Sequence, residues 1–129
     1  MLRRKVTDRL LSWKNNSNKA LLVTGARQIG KSYAIRAFGK DNYASYFEAN
    51  LLLDAEARDV LIGAKNAVDF INRVALLADA PLVEGDTLIF VDEIQEYPQI
   101  VTLMKALVED GRFSYVFSGS MLGTEFKGI

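Results

Sequence analysis

The segment GARQIGKS, Gly25 to Ser32, carries residue types that can hold a polyphosphate. A glycine, four residues and Gly-Lys-Ser is the spacing of a phosphate-binding loop, in which Gly25 and Gly30 let the backbone turn tightly and aim successive N–H groups at phosphate oxygens. Lys31 would reach the β and γ phosphates, and the Ser32 hydroxyl would be a magnesium ligand. Gly25, Ala26, Arg27, Gln28, Ile29, Gly30, Lys31, Ser32 and Tyr33 form the expected nucleotide-binding set. Arg27 reads as a solvated side chain, or else as an added contact to phosphate or to a neighbouring subunit.

A second group of chemical residues follows in LIFVDE, Leu88 to Glu93, where four apolar residues run into two carboxylates. A strand would deliver both acids at its carboxyl end, the edge at which open α/β sheets bind ligands. Asp92 would hold magnesium, directly or through water, and Glu93 would polarise or deprotonate an attacking water. Taken alone, the pair fits a strand-to-loop transition with two solvated acids equally well; its place after GARQIGKS favours the chemical reading. The third place is SYVFSGSMLG, Ser114 to Gly123. Ser118 and Ser120 are candidates for a polar group facing the γ-phosphate or the water, with a plain turn of small residues as the alternative.

Other chemistries are excluded or disfavoured. The 129 residues contain no cysteine and no histidine, which removes disulfides, thiolate metal sites, the usual zinc sites and Ser-His hydrolases. Guanine selection by Asn-Lys-x-Asp is absent, because the only Asn-Lys pair, Asn18-Lys19, continues with Ala20 and Leu21. A small-molecule kinase has no need of a water-activating glutamate, so an adenosine nucleotide attacked by water fits best. Sixteen basic residues balance sixteen acidic ones, so no global field favours nucleic acid or an anionic membrane. The local cluster Arg3-Arg4-Lys5 reads as a solvated helix face. With no signal-peptide core and no apolar stretch long enough to span a bilayer, the expected location is the cytoplasm.

The elements that must position these residues follow from apolar spacing. Leu2, Val6, Leu10 and Trp13 predict an amphipathic first helix, and Ala20 to Thr24 a buried strand. A helix is expected from Lys31 to Phe38 with Gly39 as a left-handed stop, then a strand from Tyr43 to Ala49. Helices around Asp54 to Ile62 and Val68 to Leu77, separated by Gly63, lead to a strand from Thr87 to Val91. Pro98 suits the first turn of a helix that Gly111 ends, and Phe113 to Phe117 completes the pattern. Alternating helices and strands without polar alternation predict a three-layer α/β domain around a parallel sheet.

GARQIGKS, LIFVDEIQEYP and FSGSMLG together resemble the AAA-type P-loop ATPases of bacteria and archaea that carry a carboxy-terminal restriction-nuclease-like domain of unknown function. The likeness runs over essentially the whole chain. It implies an ATPase core with strand order 5-1-4-3-2, ATP contacts at Gly30, Lys31 and Ser32, metal at Ser32 and Asp92, water activation by Glu93 and a sensor at Ser118. Gln95 matches a polar position to which no role is assigned. Because that family continues with a fifth strand, a helical lid and the nuclease-like domain, the chain is expected to be the first part of such a protein, with strands ordered 1-4-3-2 and the fifth missing. An arginine finger is unassigned, since Arg112 falls at the start of a strand.

The expected function is ATP or ADP binding with Mg2+ and ATP hydrolysis that drives conformational change in a larger protein. The rival is a nucleotide-binding regulatory or assembly module with little hydrolysis. Direct DNA binding is disfavoured by the absence of a basic stripe. Expected partners are the nucleotide and the chain's own further domains. The unblunted edge of Leu21, Leu22 and Val23 is expected either to recruit a second copy or to be covered by residues 121–129.

Overall fold

A strand sends its side chains alternately to opposite faces, so an uninterrupted apolar run such as Leu88 to Val91 needs cover on both. The computed structural model, which describes residues 2–16, 20–24, 31–119 and 126–128, supplies that cover. Its elements are α1 (Leu2–Asn16), β1 (Leu21–Thr24), α2 (Lys31–Asn42), β2 (Ser45–Asn50), α3 (Ala55–Ile62), α4 (Ala67–Leu77), β3 (Thr87–Asp92), a 3-10 turn (Ile94–Glu96), α5 (Ile100–Asp110), β4 (Ser114–Gly119) and β5 (Phe126–Gly128). Strands β1 to β4 are parallel and lie in the expected order 1-4-3-2. Leu88 and Phe90 pack with Leu21, Val23 and Val116 under Leu10 and Trp13 of α1 and Ala34, Ile35 and Phe38 of α2. Ile89 and Val91 take the other face, with Phe47, Tyr115 and Phe117, under apolar residues of α3, α4 and α5. Edge strand β2 does alternate, with Ser45, Phe47 and Ala49 buried and Tyr46, Glu48 and Asn50 only partly covered.

The sheet continues beyond β1. Strand β5 pairs antiparallel with it, Leu21 opposite Gly128 and Val23 opposite Phe126, so of the two covers expected for this edge it is the 121–129 segment that supplies one, as an added antiparallel strand beside the four parallel ones. Its direction follows from length. A parallel neighbour needs a crossover of about a dozen residues or more, and the connection 120–125 is shorter than that. Residues 126–128 thus line the β1 edge that the sequence left open either to them or to a second copy.

Gly39 does not stop a helix. Helix α2 runs on to Asn42, whose side-chain amide donates to the Phe38 carbonyl at 3.0 Å, and the second strand consequently begins two residues later than expected, at Ser45. A Cβ at position 39 would lie 2.5 Å from Tyr46 Cε1 and 3.0 Å from Leu88 Cδ2, so this glycine is where the helix backbone meets the sheet. Pro98 precedes α5 rather than opening it, with the 3-10 turn before it, whereas Gly111 ends α5 as expected, in a left-handed conformation (φ 76°). No helix among the described residues is long and apolar enough to cross a membrane.

Glycine in a helix interior ordinarily costs about 0.5–1 kcal/mol relative to alanine. At Gly39 the sign should reverse: Gly39→Ala is expected to lower unfolding stability by about 1–3 kcal/mol through overpacking against Tyr46. Urea denaturation checks this, and an unchanged or raised midpoint would contradict the packing role.

Candidate functional site

Parallel strands bring their carboxyl ends to one edge, and the helix after β1 starts there too. Asp92 closes β3, Ser118 lies near the end of β4, and Lys31 and Ser32 open α2. The Asp92 carboxylate joins them. Its Oδ2 accepts from Ser32 Oγ at 3.0 Å, and its Oδ1 accepts from the Ser118 hydroxyl and from the Glu93 N–H at 2.9 Å. The Asp92 carbonyl accepts from Leu51 N at 3.0 Å, which ties the end of β2 to the same point. Lys31, Asp92 and Glu93 are only 7%, 6% and 5% exposed, and Ser118 is fully buried.

Glu93 has a left-handed backbone, φ 58° and ψ 50°, the only positive φ outside glycine among the described residues. Such a conformation costs about 1–3 kcal/mol and persists where its surroundings over-determine it. Here the N–H is held by Asp92, the carbonyl accepts from Glu96 N at 3.1 Å, and the carboxylate Oε1 accepts from Gln95 Nε2 at 2.9 Å. The turn points Glu93 away from the path of β3, immediately beside Asp92.

The candidate residues fall into three groups. Lys31, Ser32, Asp92, Glu93 and Ser118 share the carboxyl edge of the sheet. Ser118, expected to sense γ-phosphate, spends its hydroxyl on Asp92, and Tyr33 is exposed on α2. Gly25, Ala26, Arg27, Gln28, Ile29 and Gly30, together with Ser120, lie outside the described residues. Arg112 is at the opposite edge, before β4, and donates to Asp110 at 2.9 Å. Among the described residues no group of three or more acidic side chains forms a metal cage. The hard oxygens of Ser32 and Asp92 suit magnesium nonetheless, because that ion keeps waters and phosphate oxygens as most of its ligands.

Sequence reasoning missed a polar cluster next to this edge. Arg36, one turn after Ser32, forms a two-pronged bond with Glu48 of β2, Nε to Oε1 at 2.8 Å and Nη2 to Oε2 at 2.7 Å. Tyr46 donates to the same Oε1 at 2.6 Å. Burial pushes the Tyr46 hydroxyl well above its ordinary range, and the neighbouring carboxylate adds to that, so it stays a neutral donor. Burial would raise Glu48, but the bonds from Arg36 and Tyr46 outweigh it and hold the carboxyl below its ordinary range. The available signal was a glutamate at an alternating position of SYFEAN, which needed a cation from a neighbouring element.

A parallel sheet ordered 1-4-3-2, with helices on both faces, is the core of a P-loop NTPase. The chain belongs to the family described as AAA domain, whose model matches residues 17–128. That membership makes it a nucleotide-binding, ATPase-like domain. No curated protein matches the chain.

Glu48→Gln should cost about 1 kcal/mol at neutral pH, a value kept small because the Arg36 side chain is 41% exposed and screened by water. Because Glu48 is held low in the folded state, its contribution is complete above the ordinary value of 4.5 and shrinks as pH falls below it. The stability difference between wild type and Glu48→Gln should therefore close on acidification below pH 4.5. Urea titrations at a series of pH values test this; a gap that stays constant into acid would rule out the ion pair as its source.

Proposed function

We propose that this chain binds ATP or ADP with magnesium and hydrolyses ATP, with the free energy going into conformational change of the protein as a whole. The observation that carries the reading is the bond between Ser32 and Asp92, which unites the end of the phosphate-loop motif with the acid motif across sixty positions of sequence. Lys31 and the amino end of α2 would supply positive charge and backbone N–H groups to phosphate oxygens. Magnesium, held by Ser32 and Asp92, would offset the charge of the phosphates. Ser118 and the Glu93 N–H keep the Asp92 carboxylate in one orientation for that task. Glu93 takes the proton of the attacking water while the water oxygen bonds to the γ-phosphorus and the bond to the ADP oxygen breaks.

One observation favours a slower, regulatory module as the second reading. Among the described residues, Arg36 is neutralised by Glu48 and Arg112 lies at the far edge, so neither offers an arginine to the γ-phosphate. Nucleotide binding is common to both readings, and turnover separates them. Lys31→Ala should weaken nucleotide binding by roughly ten- to a hundredfold, the worth of a charge-assisted contact, in calorimetry.

The two acids should part company. Asp92→Asn is expected to weaken magnesium-dependent binding, whereas Glu93→Gln should bind normally and hydrolyse roughly a hundred- to ten-thousandfold more slowly. Hydrolysis at the wild-type rate by Glu93→Gln would move water activation elsewhere. A wild-type chain that binds but does not turn over would leave the regulatory reading.

A further inference from the structure

The amide of Gln95 reaches back two residues and donates to Glu93 Oε1 at 2.9 Å. Its own carbonyl oxygen is buried and has no hydrogen-bond partner among the described residues. A side chain placed there only to fill space would do better without the amide, since leucine or methionine occupies similar volume with no buried acceptor left unpaired. The bond to Glu93 is what the amide visibly gains.

The base of this side chain is fixed from both sides. Gln95 sits in the 3-10 turn between Ile94 and Tyr97, both almost completely buried, and the turn closes through Glu96 N to Glu93 O at 3.1 Å and Tyr97 N to Ile94 O at 2.8 Å. The left-handed backbone at Glu93 brings its carboxylate round to this fixed donor. We infer that Gln95 is a positioning residue for the reaction: it sets the rotation of the Glu93 carboxylate, so that the same oxygen is presented to the attacking water in every cycle. The inference rests on the proposed role of Glu93 and adds a residue to it. Gln95 touches neither nucleotide nor metal on this account, and it acts only through Glu93.

Acting through another group has a measurable consequence. Gln95→Leu in the full chain should lower kcat for Mg·ATP by roughly ten- to a hundredfold, the scale of a misplaced catalytic group, while KM changes by less than about twofold. In the Glu93→Gln background the same substitution should cause no further loss, because the group it positions is already disabled. Single-turnover hydrolysis of the four proteins measures this cycle, with thermal melts alongside. Gln95→Met, unbranched and of similar length, serves where the leucine variant does not fold. An equal fractional loss in both backgrounds, a rise in KM in place of the fall in kcat, or a wild-type kcat in both Gln95 variants would overturn the positioning role while leaving Glu93 in place. Wild-type hydrolysis by Glu93→Gln alone would instead overturn the underlying reading, and the positioning role with it.

Discussion

A carboxylate taken out of water must be given partners, or the fold loses several kcal/mol to its desolvation. Asp92, at 6% exposure, is that carboxylate. Its partners come from the start of α2, the end of β4 and the backbone of the next residue. The first two could not arrive without the order of the sheet. Because β4 lies directly beside β3, Ser118 reaches Asp92 from the adjacent strand; because β1 follows on the far side of β4, the helix leaving β1 brings Ser32 over the same point. The topology and the site are thus one constraint, and the 1-4-3-2 order is what satisfies the charge.

The same carboxylate accounts for the strain at Glu93. A strand that ended normally would carry the next side chain to the opposite face. A left-handed residue placed immediately after Asp92 breaks that alternation, and its N–H is captured by the carboxylate that precedes it. The buried side chains of Ile94 and Tyr97 then pin the turn in the core under α5, so the strain is offset by apolar burial on the face away from the site.

What could be read from the sequence was what depends on short-range spacing. Leu88 to Val91 announces a strand covered twice, and Gly-Lys-Ser with Asp-Glu announces two halves of one edge, without any knowledge of contacts. Gly39 shows where this stops. A glycine after an apolar stripe reads as a helix end by local rules, yet its reason for being small is the ring of Tyr46, which only the packing of α2 on β2 reveals. Arg36 and Glu48 were silent for the same reason, since their pairing requires that those two elements be neighbours. Gln95 was noticed without a role because a spacing of two has no meaning in a straight strand and acquires one only through the left-handed turn. Phe126 to Gly128 is too short to show a period at all, and its pairing depends on an edge that other elements create.

Charge divides the site into two poles. Lys31 is buried at the amino end of α2 and makes no ion pair with acidic groups among the described residues, so the positive charge of its ammonium and of the helix dipole collects on one side. Asp92 and Glu93 collect on the other. A polyphosphate drawn to the first pole meets repulsion from the second unless a cation stands between them, and Ser32 is the side chain that belongs to both, following Lys31 in the chain and bonded to Asp92 in space. On the proposed reading, a divalent ion inserted at that junction converts the repulsion into a bridge. The Arg36–Glu48 pair beside it is internally neutral, which keeps a strong cation close to the acids without letting it compete for the phosphates.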